Sequence, residues 1–448
     1  MSAKLQNLTE QLLSAAKTAG AEAADALAVD GTSLSISVRE GALEEAERAE
    51  GIDIGLRVLI GPRQACVSAS DTSAHTISQM AERAVAMARE APEDPFIGLA
   101  NNDQLARDWD VDALDLCDDR PEPEPAALED AARRAESAAL AVAGVTKITD
   151  AGATFSRRNI HLAATNGFSG GYARTGHSLA CVAITGDGTD MERDYYGDMR
   201  VHAADLDDPE TVGRLAGERT AARAGARKPP TGAVPVVFDE RVSSSLIGHL
   251  LQAANGTSVA RGASWLRDSL GERVLPEGLD LIENPLRARV SGSRPFDGEG
   301  LPSRARKIVE AGVLQGWTLD LATARKLGLD STGNASRGTG APPSPSVTNV
   351  SLTQGDKSRD ALLADIGTGL LVTSMIGSSI NPTTGDYSRG ASGFWVENGE
   401  ITYPVNECTL AGNLLEMLRS IVPANDGRAH LSRVVPSLLV EGLTLAGE

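Results

Sequence analysis

Stretches with a period of two, interrupted by stretches with a helical period, fix the class of fold before any single residue matters. Leu8, Leu12, Leu13 and Ala16 recur at helical spacing within a Leu/Ala-patterned, amphipathic N-terminus, Met1 to Asp30. Ser33 to Val38 then alternates polar and apolar residues, as does Ile52 to Ile60 before Gly61-Pro62 ends it. Thr72 to Glu90 returns to the helical period, with Ile77, Met80, Ala81, Ala84 and Met87 on one side. One helix followed by strands and a second helix predicts an α+β domain over residues 1–100.

Pro92, Pro95, Pro121, Pro123 and Pro125 stand among acidic residues between Glu90 and Glu129, so 101–125 is expected to be a linker. Helical periodicity resumes over Ala126–Ala143. Val145–Asn166 and Gly171–Ile184 are expected strands around an Asn166-Gly167 turn, and Pro209–Ala226 is a further helix. A central α+β domain over 126–228 follows. Beyond Lys228-Pro229-Pro230-Thr231-Gly232, Val234–Phe238 has the apolar continuity of a buried strand, and short apolar runs broken by Gly, Pro, Ser and Asn continue to Glu448. The segment 229–448 is thus expected to be a β-rich C-terminal domain, giving a two-lobed α+β chain. Gly338 to Pro345 is expected to be a mobile loop.

The charge balance removes whole classes of partner. With 61 Asp+Glu against 42 Lys+Arg the 448-residue chain carries −19, without a basic cluster, so nucleic acid and anionic membrane surfaces are poor partners. Aromatics at 3% leave few stacking platforms for single strands, and 46 glycines imply many tight turns. Cys66, Cys117, Cys181 and Cys408 lie far apart, which argues against a disulfide framework or a zinc ribbon. Neither a signal-peptide core nor an 18-residue apolar run is present, and a soluble cytoplasmic protein is expected.

Local motifs are few. Gly167-Phe168-Ser169-Gly170-Gly171 matches the G-x-S-x-G pattern of a nucleophile elbow, but a strand rather than a helix follows it, and the turn reading prevails. Asp108, Asp110 and Asp112 begin like a calcium loop, yet Ala113 replaces the glycine of the bend and Asp119 the bidentate glutamate. An acidic linker ending in a helix cap accounts for them better. His75, His161, His177, His202, His249 and His430 form no HxH, HxxH or HExxH pair. His249 shares a helical face with Val242, Leu246 and Ala253 behind a candidate N-cap, Asp239, and is expected to be a packed, hydrogen-bonded core histidine. In the segment 381–400, Phe394-Trp395-Val396 and Ile401-Thr402-Tyr403 flank Asn398-Gly399 as a second hairpin. Gly390, Ser392, Gly393 and Phe394 beside Arg389 read either as a packed hairpin or as a small-residue path for a peptide backbone with an arginine for a carboxylate.

The run NPTTGDYSRGASGFWVENGEITYPVNECTLAGNLLEMLRSI (381–421), with GSRPFDGEG (292–300), ARKLGLDSTGNA (324–335) and LLVEGLTLAG (438–447), resembles the TldD/PmbA (TldE) family of bacterial peptidase proteins over essentially the whole chain, on its PmbA/TldE branch. The resemblance implies two α+β domains and a β-rich C-terminal domain enclosing a substrate cleft, dimerisation, and work on peptides. Members similar to TldD carry HExxxH on the helix opening the C-terminal domain, with a cysteine near the C-terminus as a further zinc ligand. On VVFDERVSSSLIGHLL (236–251) that motif falls on Ser244 to His249. Ser244 replaces the first ligand, Ser245 the general base, and 427–439 lacks cysteine. His249 alone cannot hold zinc in a site needing about three protein ligands.

The implied role is a metal-free subunit, without cofactor of its own, in a TldD/TldE-type metalloprotease. It would form a heterodimer with a zinc-bearing TldD-like partner, shape the cleft and support proteolysis and peptide maturation. The competing readings are an autonomous peptidase with a non-local active site and an independent homodimeric peptide-binding protein.

Overall fold

The computed structural model describes residues 3–447; Met1, Ser2 and Glu448, the outer limits of the first and last expected domains, lie outside the described residues. Helix α1 (Ala3–Ala19) buries Leu5, Leu8, Leu12 and Ala16. The Leu/Ala pattern continues to Asp30, but the helix stops at Ala19, because Gly20 turns at φ +100° and the residues beyond it pair as strand β1 (Ala23–Arg39). β2 (Ala42–Ile60), β3 (Arg63–Ala69) and α2 (Ala74–Glu90) follow, α2 being capped by Ser73, whose side chain accepts the Thr76 N–H. Next come α3 (Pro125–Leu140), β4 (Val145–Ala164), β5 (Ser169–Thr185), β6 (Glu192–Arg200) and α4 (Pro209–Ala221). The Asn166-Gly167 turn joins β4 and β5, and the G-x-S-x-G run is part of it.

The six strands make one antiparallel sheet in the order β3-β2-β1-β4-β5-β6. β1 and β4 pair from Asp25 opposite Ala164 to Val38 opposite Ala151, so the first and central units share a sheet. Successive side chains point to opposite faces. Ala24, Ala26, Ala28, Ile54, Leu56 and Val58 meet α1 and α2, while Ala151, Ala153, Leu179 and Cys181 pack with α3 and α4. The helices α3 and α4 approach so closely that a Cβ at Gly213 would collide with the Ala135 carbonyl.

The C-terminal body is built on β7 (Gly232–Phe238), α5 (Glu240–Ala253), β8 (Gly369–Ile380), β9 (Asp386–Glu397), β10 (Glu400–Asn413) and β11 (Leu438–Ala446). They run β10-β9-β8-β7-β11, and Thr409–Ala411 of β10 pairs with Thr444–Ala446 of β11, which closes them into a ring. The hairpin at Asn398-Gly399 has both residues at positive φ, 54° and 81°, as a type I′ turn requires. Leu246, Ile247 and Leu250 of α5 fill the core with Val236, Phe238, Leu370 and Val372. No helix of the described residues is long and apolar enough to cross a membrane.

The segment expected as a linker is anchored rather than merely connecting. Leu105, Leu114 and Leu116 are buried, and the Trp109 ring meets Phe296 edge-on at 5.1 Å and Phe168 at 5.9 Å. Asp110 caps the short helix Val111–Leu114 by accepting the Ala113 N–H, as the cap reading expects. The loop expected to be mobile lies against β2: a Cβ at Gly55 would collide with the Thr339 backbone, and Arg337 beside it pairs with the buried Asp25 of β1. Arg57 Nε donates to the same carboxylate at 2.6 Å.

A second ionic lock joins β6 to the start of α5. Arg241 lies 3.0 Å from Asp239 and 3.1 Å from Asp194, all three nearly shielded from water. Two further arginines reach the pair, the partly exposed Arg359 at 3.0 Å from Asp239 and the buried Arg223 at 3.9 Å from Asp194. Truncation by Arg241→Ala would strand two carboxylates, with Arg223 and Arg359 as partial compensation. The expected loss is about 3 kcal/mol, the low end for breaking a buried pair, measured from urea unfolding. A loss below about 1 kcal/mol, the value of an exposed pair, would show that water reaches the lock.

Candidate functional site

The buried run of β7 ends at Asp239, whose carboxylate accepts the Arg241 N–H and so starts α5 where the sequence places an N-cap. Helical spacing then sets Ser245 and His249 one turn apart on the side turned toward β8 and β9. Ser245 Oγ donates to the Val242 carbonyl at 2.7 Å and lies 3.9 Å from Met375 Sδ. Tyr387 of β9 directs its hydroxyl to the same sulfur at 3.7 Å, and its ring meets the His249 imidazole edge-on at 6.0 Å.

The hydrogen-bonded histidine expected from the sequence is not found. His249 Nε2 is buried without a hydrogen-bond partner, and the Tyr387 ring meets the imidazole edge-on. Burial pulls its pKa down to about 4, and the Arg389 charge adds to the effect. The imidazole is therefore neutral at pH 7. It borders a cavity of about 220 Å³ with Gln252, Ser258, Trp265 and Ile380. Among these neighbours neither Gln252 nor Trp265 was singled out by sequence; both join His249 only through the fold.

The donors present do not fit zinc. Ser244 and Ser245 offer hydroxyls where the motif needs an imidazole and a carboxylate, and Cys408 Sγ contacts the Ala391 carbonyl at 3.1 Å, with burial pushing its thiol up to about 11. Among the described residues no group of three His, Cys, Asp or Glu is placed to hold a metal ion.

Of the hairpin residues, only Arg389 is brought to His249. Its Nε donates to the Gly377 carbonyl at 2.7 Å, and with Tyr387 it lies on the α5 side of β9. Ser392 Oγ instead accepts from Arg223, which is tied to Glu192 at 2.9 Å, and Phe394 packs with Val237, Leu371 and Val396 in a separate cluster. The open path imagined at the glycines is filled by the chain itself. A Cβ at Gly393 would collide with the Leu371 carbonyl, and one at Gly390 would sit 2.6 Å from an Ile376 methyl.

The geometry at this position is a ring of strands carrying a helix with a single histidine, and the family comparisons assign its class. The chain belongs to the PmbA/TldD metallopeptidase family. Models of PmbA/TldA metallopeptidase domain 1, central domain and C-terminal domain match residues 24–88, 118–224 and 231–447. "Metalloprotease PmbA" of Escherichia coli O157:H7 is 37% identical over 438 residues, 97% of this chain and 94% of that one. A Bacteroides thetaiotaomicron crystal structure, of a protein proposed to modulate DNA gyrase, superposes with a TM-score of 0.92 at 26% identity, covering 100% of both chains. TldE of Thermococcus kodakarensis has the same fold, with a TM-score of 0.84 at 19% identity over 98% of this chain and all of that one.

Two outcomes follow from this geometry. By NMR the His249 ring should titrate near pH 4 instead of the usual 6.5. Since the folded value is the lower one, the unfolded chain takes the proton first, and this group's contribution to stability is lost as pH falls from 6.5 toward 4. A midpoint above 6 would mean that the ring is solvated. Rebuilding the motif by Ser244→His with Ser245→Glu should give no zinc-loaded peptidase. Histidines five apart diverge by about 140° on an ideal helix, and a third ligand is missing. Tight zinc with chelator-sensitive cleavage by the isolated double variant would refute this.

Proposed function

We propose that the chain is the metal-free PmbA/TldE-type member of a two-chain proteolytic assembly. A separate TldD-like chain supplies the zinc, and this chain completes the cleft and orients peptide for cleavage and maturation. The observation that carries the reading is the isolation of His249: at the motif positions its helix offers one imidazole and the hydroxyls of Ser244 and Ser245, of which Ser245 is already committed to the Val242 carbonyl. Arg389, beside that ring, is the residue we assign to a substrate carboxylate. Gly390, Ser392, Gly393 and Phe394 support it through the packing of β8, β9 and the Arg223 contact.

The chain purified alone should contain far less than one zinc per protomer and should not cleave unfolded peptides above background. With a TldD-like chain it should co-elute at micromolar concentration through an interface of roughly 2,000 Å² or more. Chelator-sensitive cleavage should then appear, and Arg389→Ala should weaken it. Stoichiometric zinc surviving mild chelation, or turnover by the chain alone, would favour an autonomous peptidase; a stable homodimer that ignores the TldD-like chain would favour independent peptide binding.

A further inference from the structure

The face of the six-stranded sheet turned away from the helices is covered only in part. Between it and the C-terminal segments around Arg294–Gly298 and Ser336–Thr339 runs a cleft of about 760 Å³, within the usual range for ligand sites. It lies apart from α5 and His249. One end is apolar, with Leu27, Ile160, Leu162, Tyr172 and Phe296 around it. Toward the other end the lining carries two charged side chains with no partner of their own among the described residues, Asp53 on β2 and Arg158 on β4.

We propose that this cleft binds a short zwitterionic peptide of three or four residues, its ammonium group at Asp53 and its carboxylate at Arg158. The register sets the span. Asp53 is opposite Val29 of β1 and Arg158 is opposite Gly31, so the two lie two strands across and two residues along, about 12 Å apart at Cβ. Three or four extended residues cover about 10–14 Å. Between the charges the floor carries Val29 on one side and is bare on the other, where Gly31 pairs with Gly51 and a Cβ on either would meet no atom within 4 Å. That gap leaves room for a backbone. On the opposite wall Arg294 holds its terminal nitrogens on the Ala335 and Gly333 carbonyls while its buried Nε has no acceptor. A ligand of one sign fits less well: a phosphate would face Asp53, and a polycation would face Arg158 and Arg294.

The inference concerns the isolated chain and does not depend on any partner or metal, so it can fail independently of the proposed function. Calorimetric titration of the full chain with the uncapped tripeptide Ala-Leu-Ala should show saturable binding, weakened about tenfold or more by acetylating and amidating its ends. Arg158→Ala and Asp53→Asn should each weaken it by a similar factor, the scale of one charge-assisted contact. Gly31→Leu should abolish binding at an unchanged melting temperature, because the new side chain enters open space; should it lower that temperature, Gly51→Leu serves as the blocking variant. Equal affinity for capped and uncapped peptide, no binding at millimolar peptide, or undiminished binding by a stably folded blocking variant would overturn the proposal.

Discussion

Pairing between β1 and β4 is the constraint on which the other features rest. Each cross-strand pair contributes only about 0.2–1 kcal/mol, but the ladder runs from Asp25 to Val38 without a shift. A slip of one residue would turn Ala24, Ala26 and Ala28 away from α1 and α2, so the register is fixed by burial as much as by hydrogen bonds. With it fixed, all four helices lie on one face, and the opposite face is left to meet the C-terminal body. Asp25, on this ladder, then becomes the carboxylate that holds both Arg57 and Arg337. The wall that carries Asp53 and Arg158 comes from two different units and exists only because this seam joins them.

Charge does at the junctions what aromatic packing does in many proteins. The chain has few aromatic residues, and Trp109, Phe168, Tyr172 and Phe296 are gathered in one place between the sheet and the C-terminal body. Elsewhere the units are held by buried pairs such as Arg241 with Asp194 and Asp239. Such pairs offset their own desolvation only while geometry is kept, which makes them better at fixing orientation than at adding stability.

Elements defined by local rules were legible in the sequence. Strict alternation marked the second half of β1, from Ser33 to Val38, Asn166-Gly167 and Asn398-Gly399 marked their hairpins, and Asp239 marked the start of α5. Where the signal was non-local, reading failed. The anchoring of 101–125 depends on Leu105, Trp109, Leu114 and Leu116, which follow no period because each meets a different partner. Gly55 and Thr339 are distant in sequence, and only their contact shows that the Gly/Pro-rich loop is seated. At the candidate site, the helix position of His249 could be read, but the surroundings that leave its Nε2 unpartnered could not. The segregation of Arg389 from Ser392 and Phe394 follows from strand geometry and from bulges that no short motif encodes.

The ring in the C-terminal body also sets a timetable for synthesis. β7 is made early, yet its two neighbours are β8, more than 100 residues downstream, and β11, about 200 residues downstream. At roughly 5–20 residues per second, Val236, Val237 and Phe238 wait on the order of ten to forty seconds for their second partner strand. α5, which leaves the ribosome immediately after β7, is the first element at hand to shield Val236 and Phe238, whereas Val237 packs with residues made from Leu362 onward. The yield of folded chain in a cell is thereby tied to how quickly residues 239–440 are translated, a quantity that final stability does not measure.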